Sequence, residues 1–233
     1  LAHTAPTSVR SEAEEAVVTA ATPTSVTLDR ALRHEHWGTV QQVAGRSVDE
    51  RAEVGLLTRN ITVQGDSSSS NGFGGHLIIF SGGTARIEGA SFTSMGQSGL
   101  VGHYPLHWHM AGDVTGQYIR DVAIWYTFNR CLTIHGTDRA VAQRNVCYDH
   151  LGHGYFLEDG AETGNTIEGN LGLSARTPAA NVRILASDAN PATFWLTNPD
   201  NTVRRNVAAG SVGFGFWYAL PAAPTGFSTG QPD

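Results

Sequence analysis

Strongly periodic helical stretches are nearly absent from this sequence, which excludes a helix bundle. The one candidate, Ser11–Val18, serves equally as a polar strand or an arm. No apolar run approaches the ~18 residues of a membrane span. Charge is sparse: 15% of residues are charged and the formal net charge is −6, which argues against non-specific nucleic-acid binding. Two cysteines are too few for a disulfide framework. One bridge between Cys131 and Cys147 is possible and none is required; two buried free thiols are the expectation, since cysteine is among the most often buried residues. No signal peptide is visible. The chain opens with Leu rather than Met and reads as a processed or excised piece.

What is present is glycine. The 27 glycines and nine prolines give many turns, and the 40% apolar fraction is below that of an average globular domain. A length of 233 residues suits one large all-β domain, or one domain plus a fragment of another. Residues 1–48 are polar, irregular and too short for a domain, so they read as a remnant of a preceding β unit or a cap. Residues 49–220 carry a repeat, and 221–233 form a tail.

The repeat consists of a polar residue, then Asn or a small residue, then the aliphatic start of a short strand. Taking Asn60, Ala90, Asp121, Asn145, Asn170 and Asn206 as equivalent gives steps of 30, 31, 24, 25 and 36. A minimum period near 24 with insertions suits about six coils of a parallel β-helix, with an antiparallel sandwich as the alternative. An Asn at the same turn of successive coils can stack into a ladder that satisfies turn backbone groups. The polar stretch between Ser174 and Thr193 is a loop leaving one coil. Second strands recur at Gly75–Phe80, Leu106–Met110, Leu132–Gly136, Tyr155–Asp159 and Phe214–Tyr218.

Within Leu106-His-Trp-His-Met110, the alternation of a strand puts Leu106, Trp108 and Met110 on one face. His107 and His109 share the other, about 6.6 Å apart at about 3.3 Å rise per residue. With the apolar trio in the core, both histidines face solvent. Aligned by the repeat, His109, His135 and Glu158 fall at one outward position of three consecutive coils. Asp113, Asp138 and Asp159 follow in the adjoining turns.

Several segments resemble a family of right-handed β-helix proteins. It includes the cell-migration-inducing hyaluronan-binding protein, the cell-surface hyaluronidase known as transmembrane protein 2, and fibrocystin-like proteins. The segments are Arg51-Ala-Glu-Val-Gly-Leu-Leu-Thr-Arg-Asn-Ile61, Tyr104-Pro-Leu-His-Trp-His-Met-Ala-Gly-Asp113, Cys131-Leu-Thr-Ile-His-Gly-Thr137 and His150-Leu-Gly-His-Gly-Tyr-Phe-Leu-Glu-Asp-Gly160. The resemblance covers about residues 25–220. It implies a single-stranded right-handed parallel β-helix in a secreted or extracellular protein. It also suggests cleavage of an acidic polysaccharide such as hyaluronan.

The chemistry of the patch is that of a metal site. A His-x-His pair with a third His and a carboxylate suits Zn or another transition metal, with Ca possible where carboxylates dominate. His107, His109 and His135 are the first-choice ligands, and Glu158 a fourth ligand or a base; His76 is a possible addition. A solvated, histidine-rich sheet face is the bland alternative. His153, in the Gly-rich turn with His150, is a further candidate base, its unperturbed pKa of about 6.5 suiting proton transfer. Tyr155 points inward and makes a poor catalyst. Without a metal, glycoside hydrolysis needs paired carboxylates, for which Asp113 with Glu158 fits better than Glu158 with Asp159. Elimination from a uronic acid needs a cation on the carboxylate, for which Arg130, Arg139 and Arg144 are candidates. Tyr126, with Trp125 and Trp217, is a candidate for stacking on sugar rings. The expected activity is a glycosaminoglycan depolymerase, hydrolase or lyase. The alternative is a non-catalytic carbohydrate-binding or adhesion module.

Overall fold

The structure, a computed structural model, describes residues 12–231. Ser11 of the helix candidate lies outside the described residues. From Glu12 to Val17 the chain forms no α-helix, and Val18–Ala21 pairs antiparallel with Val26–Leu28. A second hairpin joins Gln41–Val43 to Arg46–Val48. Every strand after it pairs in parallel, apart from an isolated antiparallel bridge between Phe73 and Gln97.

Three parallel sheets wind around one core in a single-stranded right-handed β-helix. The first stacks Ile61–Gln64, Ala90–Thr93, Ala123–Trp125, Val146–Tyr148, Leu171–Leu173 and Val207–Ala209. The second stacks Leu77–Ile79, Leu106–Asp113, Leu132–Asp138, Tyr155–Leu157, Ala192–Leu196 and Phe214–Tyr218. The third stacks Arg86–Glu88, Tyr118–Arg120, Val141–Gln143, Thr166–Glu168 and Thr202–Arg204. Most strands have only three to five residues, which suffices because those inside each stack are paired on both sides by the neighbouring coils. The Ala192–Leu196 member escapes the repeat because residues 174–191 leave the coil before it.

The asparagine ladder forms, one position away from where the repeat puts two of its members. Strand pairing aligns Ala90, Val122, Asn145, Asn170 and Asn206, so Asn60 and Asp121 sit one residue early. Asp121 instead joins Gly89, Arg144, Gly169 and Arg205 in a column with φ between 51° and 65°. The side-chain oxygens of Asn145, Asn170 and Asn206 each accept the backbone N–H of the coil below at 2.9–3.2 Å. Their amide groups donate to Ile119, Ala142 and Ile167 carbonyls. The column supplies the sharp corner, and the asparagines satisfy the buried backbone groups it would otherwise orphan.

The core is filled by alternate strand residues. Leu106, Trp108, Leu132, Ile134, Tyr155, Leu157, Phe194 and Leu196 are all essentially inaccessible. Tyr155, Phe194 and Phe216 stack at 4.8 and 4.7 Å, the coil spacing itself. Met110 departs from its expected place. A bulge sets Gly136 opposite Met110 and Ala111, Met110 takes φ 48°, and Ala111 occupies the core position instead.

The cysteines are not free thiols. Cys131 and Cys147 form a buried disulfide between neighbouring coils. Cysteine burial is equally well satisfied by either state, so composition alone could not separate them. Closing a loop of this length stabilises a fold by about 3 kcal/mol. Reduction, or the double serine variant, is expected to lower the urea-derived unfolding free energy by about that much. A change below about 1 kcal/mol would show that stacking alone carries this corner.

Candidate metal centre

The outward face of the second sheet carries two in-register rows. His109 pairs with His135, and Glu158 follows in register through the bond from its N–H to the Ile134 carbonyl. His107 lies in the neighbouring row, opposite Thr133. One ring nitrogen from each of His107, His109 and His135 lies within 4.8 Å of the others. His109 Nδ1 and His135 Nδ1 are 3.0 Å apart, and Glu158 Oε2 is 3.6 Å from His135 Nδ1 and 4.0 Å from His107 Nε2.

This face looks away from the β-helix core, yet it is not open to solvent as the alternation implied. His107 and His135 are buried, and His109 is half-buried. Tyr104 lies against His107 at 4.9 Å between ring centres. From the far end of the chain, Phe227 lies 6.0 Å from His135. Strand alternation decides which way a side chain points and says nothing about what later folds over it.

The far ring nitrogens of His107 and His135 are held. His107 Nδ1 meets the Gly102 carbonyl at 3.0 Å, which makes Nδ1 the protonated nitrogen and leaves a lone pair on Nε2. His135 Nε2 meets Asp159 Oδ2 at 2.6 Å, which leaves the Nδ1 lone pair facing His109. A carbonyl or carboxylate behind the imidazole is the usual support of a metal-ligating histidine. His107 Nε2 and Glu158 Oε2 are buried without a hydrogen-bond partner. Four donor atoms thus converge, two of them otherwise unsatisfied, and they fit a divalent transition metal better than calcium because three are imidazole nitrogens.

The electrostatics divide the cluster. Burial pushes His107 down to about 3, so it is neutral at pH 7, the form that can bind a metal. Burial also holds His109 below its ordinary value. At His135 burial is outweighed by the hydrogen bond to Asp159 and the charges of Glu158 and Asp159, and its pKa is raised. Burial raises Glu158 despite the neighbouring His135. In Asp159 the bond to His135 outweighs burial, and the carboxyl is held below the usual range.

Residues beyond the sequence expectation complete the site. Glu162 is fully buried and accepts the N–H groups of Gly136, Asp159 and Gly160 at 2.8–3.0 Å, which fixes the corner bearing Glu158 and Asp159. Tyr104 donates its hydroxyl to Glu158 Oε1 at 3.3 Å. Ser228 donates its N–H to Asp159 Oδ2 at 3.1 Å. Glu162 announces itself only as an acid just past a glycine turn; Tyr104 opens a segment that carries the resemblance, with nothing to give it a role, and Ser228 carries no signal.

Other residues singled out from the sequence lie elsewhere. Asp113 is exposed and paired with Arg139 at 2.7 Å. Arg144 pairs with Asp121 on the surface. Tyr126 donates its hydroxyl to Glu15 beside Tyr148 on another sheet. Trp125 bonds Ser91 there too. Arg130 is buried against Asp188, and His153 bonds Ser187 and the Ala192 N–H in the same pocket. His150 is also buried, with Nδ1 at 3.0 Å from the Gly152 carbonyl. His76 packs on His103, with ring centres 4.4 Å apart. Tyr155 is in the core, as expected.

The right-handed β-helix defines the class of this protein. The chain belongs to the CEMIP beta-helix family, whose model matches residues 72–233. It is 35% identical to fibrocystin-L of Mus musculus over 86% of its length. It is 37% identical to the human cell migration-inducing and hyaluronan-binding protein over 79%, and 35% identical to human cell surface hyaluronidase CEMIP2 over 78%. It spans only 6%, 17% and 16% of those three relatives. No helix among the described residues is long and apolar enough to cross a membrane.

Proposed function

We propose that this chain is the metal-dependent depolymerising module of an extracellular protein acting on a hyaluronan-like glycosaminoglycan. The observation that carries the reading is the convergence of His107, His109, His135 and Glu158, with the far nitrogens of His107 and His135 already committed to Gly102 and Asp159. Two relatives whose names speak of hyaluronan binding and of hyaluronidase support the substrate class. The buried disulfide supports an oxidising compartment.

His107, His109 and His135 would hold the ion. A divalent cation supplies positive charge and lowers the pKa of water. That charge matters here, because the protein is itself acidic and its substrate polyanionic. Among the described arginines the buried Arg130 is locked to Asp188, and Arg139 and Arg144 are paired elsewhere. Glu158 would accept the proton that the attacking water or the sugar carbon gives up. Its Oε2 faces the cluster unpartnered, burial raises its pKa, and Tyr104 steadies its other oxygen. Asp159 is engaged by His135 and Ser228, so its role is to orient His135.

The test is metal analysis of the purified protein beside hyaluronan chain length, with and without chelator. The reading expects about one metal per chain and cleavage abolished by chelation. Metal-free protein with chelator-insensitive cleavage removes the metal and keeps the enzyme. Retention of hyaluronan with neither metal nor cleavage would make the chain a carbohydrate-binding module.

A further inference from the structure

Two phenylalanines lie against the histidine centre where solvent reaches it. Phe80 continues the first strand of the second sheet by one residue, which places it in register with His109. Its ring meets the His109 imidazole edge-on at 5.4 Å, and the residue is 57% exposed. Phe227 comes from the opposite end of the chain, in the short turn Gly226–Ser228. It meets His109 edge-on at 6.2 Å, lies 6.0 Å from His135, and is 75% exposed.

The Phe227 turn is anchored, not loosely draped. Thr225 donates its N–H to the Asp159 carbonyl at 2.8 Å, and Ser228 donates to the Asp159 carboxylate at 3.1 Å. Gly226, at φ 55°, lies so close that a Cβ would stand 2.4 Å from Asp159 Oδ1. One carboxylate therefore positions both His135 and the turn bearing Phe227. A large apolar ring held in water by buried polar bonds adds little to the core, and here two such rings lie against the same imidazole. A pyranose ring offers what this arrangement lacks: an apolar C–H face for each aromatic ring, and hydroxyls turned toward the polar centre between them.

We infer that Phe80 and Phe227 are substrate-binding residues that stack on sugar rings of the polysaccharide and so place it over His109 and Glu158. The inference rests on the glycan-cleaving reading above. It adds that the C-terminal turn belongs to the site, and it makes the apolar grip separable from the metal.

Titration of hyaluronan decasaccharide into the full chain, with metal content and melting temperature measured in parallel, tests it. Phe80→Ala and Phe227→Ala are each expected to weaken binding at least about 5-fold and the double variant more. Metal content and melting temperature should stay at the parent level. Phe227→Tyr, which keeps the ring, should restore affinity, and KM for depolymerisation should follow the affinities. Parent-like binding by the double alanine variant would overturn the inference while leaving the metal centre intact. So would a Phe227→Tyr protein as weak as Phe227→Ala, because a stacking contact tolerates a phenol. If the parent chain binds no hyaluronan at all, the glycan reading and this inference fall together.

Discussion

Replacing His135 by alanine is expected to empty the metal centre and lower hyaluronan cleavage at least about 100-fold. His135, like His107, is bonded on one edge and faces the cluster on the other, and its outer partner is a carboxylate. Its Nε2 is held by Asp159 at 2.6 Å, while Nδ1 stands 3.0 Å from His109 Nδ1 and 3.6 Å from Glu158. Losing only an outer partner of a ligating histidine typically costs 10–100-fold in metal affinity or activity. Asp159→Asn should therefore fall in that lower range, and the ligand itself should cost more. The ordering is the informative part, read by metal stoichiometry and by cleavage rate at fixed metal concentration. A His135→Ala protein that keeps both its metal and its rate would remove this histidine from the centre. The same holds, one step out, for an Asp159→Asn protein indistinguishable from the parent.

The second large effect concerns stability. Arg130 and Asp188 are each about 1% exposed and form a two-point ion pair at 2.5 and 3.1 Å. The guanidinium also lies 4.6 Å from the centre of the Phe156 ring. Asp188 further accepts the N–H groups of Ile184 and Leu185, so the pair fastens the 174–191 excursion to the coils. Gly152 makes room for it: at φ 77°, a Cβ there would lie 2.0 Å from the guanidinium. Asp188→Ala strands a buried charge and is expected to cost about 3–5 kcal/mol, whereas replacing both partners with apolar residues, as in Arg130→Met with Asp188→Leu, should cost much less. Urea unfolding of the single and double variants measures both. A single variant within about 1 kcal/mol of the parent would show that water reaches Arg130.

These two sites mark the boundary between what could be read and what could not. The histidine row was legible because a strand has a side-chain period of two and stacked coils hold a fixed register. Those two rules alone bring His109, His135 and Glu158 into line, with His107 beside them. Arg130 was not legible in the same way. It was read as a candidate for gripping substrate, but its partner lies 58 residues away in an excursion that follows no repeat.

The sequence by itself pointed to the β-helix, its coil spacing and the direction of most strand residues, because these follow from local periodicity; the bulge that turns Met110 out and Ala111 in does not. Only the tertiary structure decided what covers the outward face. The connection bearing Gly102 and Tyr104 and the turn bearing Phe227 and Ser228 close over it from opposite sides in the chain order. They bury two imidazoles, assign Asp159 to His135, and leave Glu158 facing the centre. The disulfide was decided there too, since only the stacking of coils brings Cys131 to Cys147. Contacts between distant segments depend on how irregular connections fold back, and no periodicity encodes that.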